Sequence, residues 1–123
     1  MADFKELYAY VKGFELAMEI FEISKKFPIE EKYSLTDQIR RSSRSVCANI
    51  GEAYRKRRYK NHFISKLSDS DAENSETQIW LEFAFKCNYI DEATFQRLNE
   101  KSLEVGKLIN NMINNADKFI SYK

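Results

Sequence analysis

Residues 95–119, FQRLNEKSLEVGKLINNMINNADKF, carry an apolar or small side chain at alternating spacings of three and four. The side chains in this repeat are Phe95, Leu98, Ser102, Val105, Ile109, Met112, Ala116 and Phe119. Because an α-helix has about 3.6 residues per turn, the alternation places them on one face of a helix. Such a regular spacing favours a left-handed, nearly antiparallel bundle in which other helices cover this face.

The rest of the chain predicts three more helices. They are expected over roughly residues 4–26, 34–57 and 61–88. With three glycines and one proline among 123 residues, little of the chain is suited to turns. The predicted fold class is therefore all-α, an antiparallel up-and-down four-helix bundle that forms one domain over residues 1–123.

Residues that cap helices stand at the starts of three predicted helices. Ser34 and Asp37 have the spacing of a variant capping box at the second helix. Asn61 is the expected cap of the third helix, and Asp91 is the expected cap of the fourth. Short polar side chains at these positions accept hydrogen bonds from the unpaired amide groups of the first turn.

Composition excludes several classes of protein. Hydrophobic residues make up 43% of the chain and charged residues 32%, which is too hydrophobic for disorder and too polar for a membrane protein. Cys47 and Cys87 cannot form a disulfide framework, and both are expected to be small buried side chains. No signal peptide or long apolar run is recognisable, so we expect a reducing, cytoplasmic location with no membrane partner.

No pattern of residues predicts catalysis. The only histidine, His62, follows Tyr59 by three positions, so the Glu-x-x-His pairs of a di-iron bundle are missing. The two cysteines are too far apart for a spaced zinc site, and there is no glycine-rich phosphate loop. We expect no enzyme, catalytic residue, cofactor, metal or small-molecule substrate. A cation or proton site at Glu73 and Glu76 is the less favoured alternative to their pairing with arginine.

The first predicted helix is apolar on two nearly opposite sides. One stripe consists of Leu16, Ile20, Ile23 and Phe27. The second stripe, a candidate oligomer interface, consists of Leu7, Val11, Phe14, Met18 and Phe21. A helix with two apolar sides has two partners, unless one large core takes both stripes.

The second and third helices are expected to pair so that position i faces roughly position 119 − i. The inner face of the third helix is apolar at its ends and polar in the middle: Phe63, Leu67, Ser70, Asn74, Thr77, Leu81 and Ala84. In this register its polar middle meets the serines of the second helix, and Asn49 lies opposite Ser70. The pairing predicts a buried, hydrogen-bonded polar layer.

Basic residues are concentrated in QIRRSSRSVCANIGEAYRKRRYK, residues 38–60, which contain eight Arg or Lys and one acid, although the whole chain has a net charge of only +1. Three of these arginines come within reach of acids on the third helix in the same register. The expected polar and salt-bridge network consists of Arg40, Arg41, Arg44, Asn49, Glu73 and Glu76. This network is expected to stabilise the bundle or a contact between subunits. The alternative is that the three arginines are open to a ligand.

The second part of the run is residues 55–60, here named the basic bend. Its candidate nucleic-acid-binding residues are Arg55, Lys56, Arg57, Arg58, Tyr59 and Lys60. The positions that it faces contain no acid, so its cations have no predicted partner. Cations of this kind bind phosphates, and aromatic rings stack on bases. The alternative is an ordinary, solvated helix end, and sequence-specific recognition is not predicted.

A family resemblance runs through this region. Residues 31–52, EKYSLTDQIRRSSRSVCANIGE, resemble the pattern E-R-Y-G-L-T-x-Q-I-R-R-A-x-x-S-I-P-x-N-I-A-E of the four-helix-bundle family of bacterial 23S rRNA intervening-sequence proteins. Residues 72–81, AENSETQIWL, together with residues 27–28 and 88–90, match the same family. The family is related to the accessory protein of diversity-generating retroelements. This chain departs from the pattern at Cys47, where the family often has a proline that kinks the helix.

The resemblance implies an antiparallel four-helix bundle that is usually assembled as a homopentameric ring. It implies no established biochemical activity for the intervening-sequence members, whereas the retroelement relatives look like basic rings that bind nucleic acid and a reverse transcriptase. The expected function is that of a non-enzymatic, pentameric scaffold that binds the backbone of RNA or DNA. The alternative is a structural scaffold with a protein partner and no nucleic acid.

Overall fold

The computed structural model describes residues 3–120 as a bundle of helices. Its four α-helices are α1 (Tyr8–Ser24), α2 (Leu35–Arg55), α3 (Lys60–Lys86) and α4 (Glu92–Asn114). Short 3-10 helices lie before α1, between α1 and α2, and after α4: Phe4–Glu6, Ile29–Glu31 and Ala116–Lys118. The described residues contain no strand, and the prediction of an all-α four-helix bundle is confirmed. Within this part of the chain, no helix has the length and apolar composition needed to cross a bilayer.

Each helix packs against its neighbours in the chain, and α1 also packs against α4. The pairs run antiparallel: Ser42 of α2 meets Thr77 of α3, whereas Val46 meets Ser70. Close approach of α1 to α2 depends on Gly13, where a Cβ atom would lie 3.3 Å from the Sγ atom of Cys47. The short connections leave no other way to pack consecutive helices along their whole length.

The apolar faces of the helices form a continuous core. All seven inner-face positions predicted for α3 are buried. In α4 and the turn after it, the repeat is buried from Leu98 to Ala116, while Phe95 and Phe119 are partly buried at its two ends. Phe95 stacks on Phe85, with ring centroids 4.9 Å apart, and so closes one end of the core.

A buried polar layer crosses the middle of the bundle, as the register predicts. The hydroxyl oxygens of Ser42 and Thr77 are 2.8 Å apart. Asn74 donates from Nδ2 to the backbone carbonyl of Ser102 at 2.8 Å and accepts from the Ser102 hydroxyl at 2.9 Å, which extends the layer to α4. Each of these side chains therefore has a hydrogen-bond partner within the layer.

Asn49 and Ser70 do not pair as predicted. Ser70 donates to the backbone carbonyl of Val46 at 2.8 Å, and Asn49 donates to that of Ser45 at 2.9 Å within its own helix. Ser70 and Val46 are both buried, whereas Asn49 is partly exposed and so lies outside the layer that Ser70 joins.

Ser34 and Asp91 stand at the N-cap positions of α2 and α4, as predicted, whereas Asn61 does not cap α3. Asp91 caps α4 by accepting from the amide of Thr94 at 2.8 Å, as predicted. Ser34 makes no capping hydrogen bond, because Glu31 accepts from both the Ser34 hydroxyl (2.6 Å) and the amide of Leu35 (3.2 Å). The start of α3 is at Lys60, because the turn that precedes it closes early with a hydrogen bond from the amide of Tyr59.

The two cysteines differ in environment. Cys47 is buried between α1 and α2, and burial raises the pKa of its thiol to about 12. Cys87 was expected to be buried but is exposed, because α3 ends one residue before it. Asn88 follows in the left-handed conformation that commonly ends a helix, with φ of 64°.

Glu31 should make stability depend on pH in the acidic range. The hydroxyls of Ser34 and Tyr89 and the amide of Leu35 donate to its carboxylate and lower its pKa below the ordinary value of 4.5. The stabilisation is therefore present above that ordinary value and is lost as the pH falls through the lowered value. We expect Glu31→Gln to cost about 1 kcal/mol of unfolding free energy near neutral pH, as loss of a helix cap does.

Urea denaturation at several pH values checks this prediction. The difference between wild type and Glu31→Gln should shrink as the carboxylate of the wild type becomes protonated. Glu30→Gln, at the exposed neighbouring position, is the matched control and should leave stability unchanged. A pH-independent difference between wild type and Glu31→Gln would contradict the assignment.

Candidate nucleic-acid interface

The basic bend connects the end of α2 to the start of α3 at one end of the bundle. Arg55, Lys56 and Arg58 are exposed. Arg57 is half-buried: it donates to the backbone carbonyl of Tyr54 at 2.8 Å, and its guanidinium lies 3.8 Å from the centre of the Tyr54 ring. Arg57 thus helps to close the C-terminal end of α2, while the other three cations point to solvent.

Most cations of the bend lie outside the salt bridges of the bundle. Within residues 3–120, none of Arg55, Lys56, Arg57 and Arg58 forms a salt bridge. Lys60 differs from the prediction, because its ammonium group lies 2.9 Å from the carboxylate of Asp117. The segment after α4 folds back against the start of α3, and a comparison of α2 with α3 alone overlooks it.

Two aromatic side chains accompany these cations. Tyr59 is 58% exposed, and its ring centroid is 5.7 Å from that of the exposed His62. The guanidinium of Arg58 is 5.8 Å from the Tyr59 ring. An exposed ring beside unpaired cations can stack on a base while the cations bind the adjacent phosphates.

A groove of about 880 Å³ begins beside the bend and follows the junction of α1 and α2. We name it the apolar groove. Its apolar lining is Phe4, Tyr10, Phe14, Ala17, Met18, Cys47, Ala48 and Gly51. Its charged lining is Arg44, Glu52, Arg55, Lys56 and Lys66. An exposed groove of this kind, apolar inside and basic at the edge, is typical of surfaces that bind a partner.

The second stripe of the first helix is only partly available to such a partner. Val11, Phe14 and Met18 are 36%, 50% and 46% exposed. Leu7 is in the core instead, because it precedes α1 in an extended conformation and so does not follow the helical spacing. Phe21 is partly covered by arginines of α2.

Arg40, Arg41 and Arg44 face two different helices. Arg41 forms salt bridges with Glu73 at 3.3 Å and with Glu76 at 2.5 Å, so the structure brings these three residues together. Arg40 donates to the hydroxyl of Ser24 at 2.7 Å, and the guanidinium groups of Arg40 and Arg44 lie over the ring of Phe21.

Helical geometry explains the division. Arg40 and Arg44 are about one turn apart and share the side of α2 that faces α1, whereas Arg41 is rotated by about 100° toward α3. The expectation that all three arginines reach the acids of α3 is therefore wrong for Arg40 and Arg44.

Two ion-paired clusters were not foreseen. Lys66 of α3 lies 2.8 Å from Glu52 of α2 at the edge of the apolar groove. Glu19 of α1 pairs with both Arg97 and Lys101 of α4, and these partners lower its pKa against the effect of burial. Only the pairing of α1 with α4 would have revealed the second cluster. Residues 3–120 contain no group of three His, Cys, Asp or Glu side chains that could hold a metal ion.

Comparisons with known proteins agree with the fold. The family described as 23S rRNA-intervening sequence protein matches residues 5–111. The chain is also similar to a crystal structure from Bacteroides thetaiotaomicron of a protein with unknown function from the S23 ribosomal protein family. The two are 30% identical with a TM-score of 0.78, over 87% of this chain and 96% of the other. No curated protein matches the sequence. The chain belongs to the family of 23S rRNA-intervening sequence proteins.

Proposed function

We propose that this protein is a non-enzymatic, self-associating helical bundle that binds the phosphate backbone of RNA or DNA through the basic bend. The observation that carries the proposal is the set of three exposed cations, Arg55, Lys56 and Arg58, which form no salt bridge with any residue from 3 to 120. Cations that are already paired would lose a partner on binding a phosphate, and these would not.

The neighbouring rings support a single-stranded or looped target. Tyr59 and His62 present exposed aromatic faces next to the cations. Stacking on such faces is tolerant of sequence, because every base has a π-face. Recognition of the backbone and of unpaired bases, rather than of one sequence, follows from this combination.

Self-association would strengthen binding at a site of only three cations. The exposed row of Val11, Phe14 and Met18 favours contact with another copy of the chain. A closed ring, with five copies as its expected number, repeats the basic bend around its circumference. Several weak phosphate contacts on one nucleic acid then act together, since the later contacts form at a high effective concentration.

Reversal of the bend charges tests the proposal. We expect Arg55→Glu, Lys56→Glu and Arg58→Glu together to weaken binding to a structured RNA by at least about tenfold, because three phosphate contacts become repulsive. The control replaces Lys25, Lys26 and Lys32 with Glu, an equal change of charge near the opposite end of α2. Fluorescence anisotropy gives the affinities, and native mass spectrometry compares the sizes of the assemblies, since Arg55 and Lys56 also line the apolar groove.

Equal losses in the two triple variants would contradict the proposal, because they would show that only the net charge matters. Arg58→Glu alone provides a further check, since Arg58 does not line the apolar groove. It should weaken RNA binding without a change in assembly.

A second candidate function is a scaffold that assembles or binds a protein and has no nucleic-acid ligand. The apolar groove favours this function, since either another copy of the chain or a different protein would bury Phe14 and Met18. Under this function both triple variants would bind RNA as weakly as the wild type does.

A further inference from the structure

Two arginines of α2 converge on one ring of α1. The guanidinium of Arg40 lies 4.8 Å from the centre of the Phe21 ring, and that of Arg44 lies 5.6 Å from it. Arg40 is fixed in this position because its Nε donates to the hydroxyl of Ser24 at 2.7 Å. The face of the ring attracts each cation but does not neutralise its charge. Two like charges are therefore held close together.

Neither guanidinium has an anionic partner in the described part of the chain. Among residues 3–120, no carboxylate forms a salt bridge with Arg40 or Arg44, and their terminal nitrogens have no acceptor. Lys25, the third cation at the Phe21 ring, differs from them because it pairs with Glu22 at 3.2 Å. An oxyanion between the two arginines would offset their repulsion, and the planar guanidinium group suits phosphate in particular.

The two arginines line a groove of about 560 Å³ along the exposed side of α2, which we name the arginine groove. Its lining is Lys32, Tyr33, Thr36, Asp37, Arg40, Arg41, Arg44, Ser45 and Ala48. The volume is within the range of small-molecule sites, roughly 300–1,000 Å³. Tyr33 is 83% exposed, so its ring is open to a planar group. Cations that bind a phosphate and a ring that stacks on a base are together suited to a nucleotide.

Acids at the groove favour a small ligand over a strand of RNA. Asp37 belongs to the lining, and Glu73 and Glu76 lie beside it, in salt bridges with Arg41. A strand that continued past the arginines would bring further phosphates to these carboxylates, and like charges in contact are disfavoured. A mononucleotide carries its phosphate at one end only.

We propose that the arginine groove binds a nucleotide, with the phosphate between Arg40 and Arg44 and the base on Tyr33. The site is separate from the basic bend and goes beyond the proposed function. The arginines belong to α2, whereas their contacts Phe21 and Ser24 belong to α1. The ligand thus binds where two helices of the folded protein meet, and its binding raises the free energy of unfolding.

Isothermal titration calorimetry with AMP, inorganic phosphate and adenosine tests the site. AMP should bind once per chain and at least about tenfold more tightly than inorganic phosphate, since it also stacks, and adenosine should bind more weakly than AMP. Arg44→Gln should weaken AMP binding at least about tenfold, because charged hydrogen bonds to the phosphate are lost. Tyr33→Ala should remove the advantage of AMP and leave the affinity for inorganic phosphate unchanged.

Lys107→Gln is the matched control, because Lys107 is exposed on α4, outside the arginine groove, and its replacement changes the charge equally. It should bind AMP as the wild type does. Arg44 and Tyr33 are exposed, and circular dichroism verifies that their variants are folded. Thermal unfolding gives a second readout: AMP should raise the midpoint of the wild type and of Lys107→Gln more than that of Arg44→Gln.

Three results would overturn the proposal. They are no saturable binding of AMP, equal AMP affinities for Arg44→Gln and Lys107→Gln, and displacement of structured RNA by AMP that Arg44→Gln abolishes. The last result would place the arginines on the path of the RNA instead. Loss of RNA binding by the charge-reversed bend tests the proposed function separately, since the residues of the bend do not line the arginine groove.

Discussion

Replacement of Leu98 with alanine should lower the free energy of unfolding by about 2–5 kcal/mol, the range found when leucine is truncated in a packed core. Leu98 is 0% exposed and belongs to the main core cluster. The loss has two parts. The transfer of the removed methyl groups from water to the core no longer contributes to folding, and the cavity that remains is only partly filled by neighbouring side chains.

Leu103, in the same helix, provides a matched control. It is 48% exposed, so Leu103→Ala should change the free energy of unfolding by less than about 0.5 kcal/mol. Urea denaturation of both variants at one protein concentration gives the comparison, since unfolding of an assembled protein depends on concentration. Similar losses for the two variants would contradict the orientation of α4.

Asn74→Leu should cost about 2–3 kcal/mol, although it makes the core more hydrophobic. Asn74 is 1% exposed and makes two hydrogen bonds with Ser102 of α4. Leucine leaves the buried hydroxyl of Ser102 without its acceptor, so its proton is buried unpaired, although the oxygen still accepts from Nε2 of Gln78 at 3.0 Å.

The double variant separates this effect from a simple change of shape. Ser102→Ala removes the hydroxyl that Asn74→Leu leaves unpaired, so the double variant should recover at least about 1 kcal/mol relative to Asn74→Leu. Additive losses, measured by the same urea denaturation, would show that the two side chains do not act as a unit. The buried polar layer would then have no pairwise role in stability.

Much of the fold could be predicted because helical spacing alone identifies a buried face. The inner positions of α3 are buried as the spacing requires, and so is the repeat of α4 from Leu98 to Met112. The predicted register of α2 with α3 is also correct at the contact of Ser42 with Thr77. In these helices the face that the local periodicity predicts to be buried is the face that packs against the other helices.

Predictions were wrong where the position or partner of a residue depends on a segment outside the helix considered. Leu7 lies before α1, so the periodicity that was extended to it does not apply. Glu31, from the 3-10 helix before α2, takes the capping role predicted for Ser34. Lys60 meets Asp117 because the segment after α4 returns to the start of α3. Charge composition located the basic bend, but only the tertiary structure shows which of its cations are unpaired.

Phosphate binding by the basic bend can be measured through its dependence on salt. From about 50 to about 200 mM salt, the logarithm of the RNA affinity should fall linearly with the logarithm of the salt concentration, with a slope of about −2 to −3 for each chain engaged. Arg58→Glu should make that slope shallower by about one per chain, because one phosphate contact is lost. A slope near zero, or a slope that Arg58→Glu leaves unchanged, would contradict binding of the backbone by the bend.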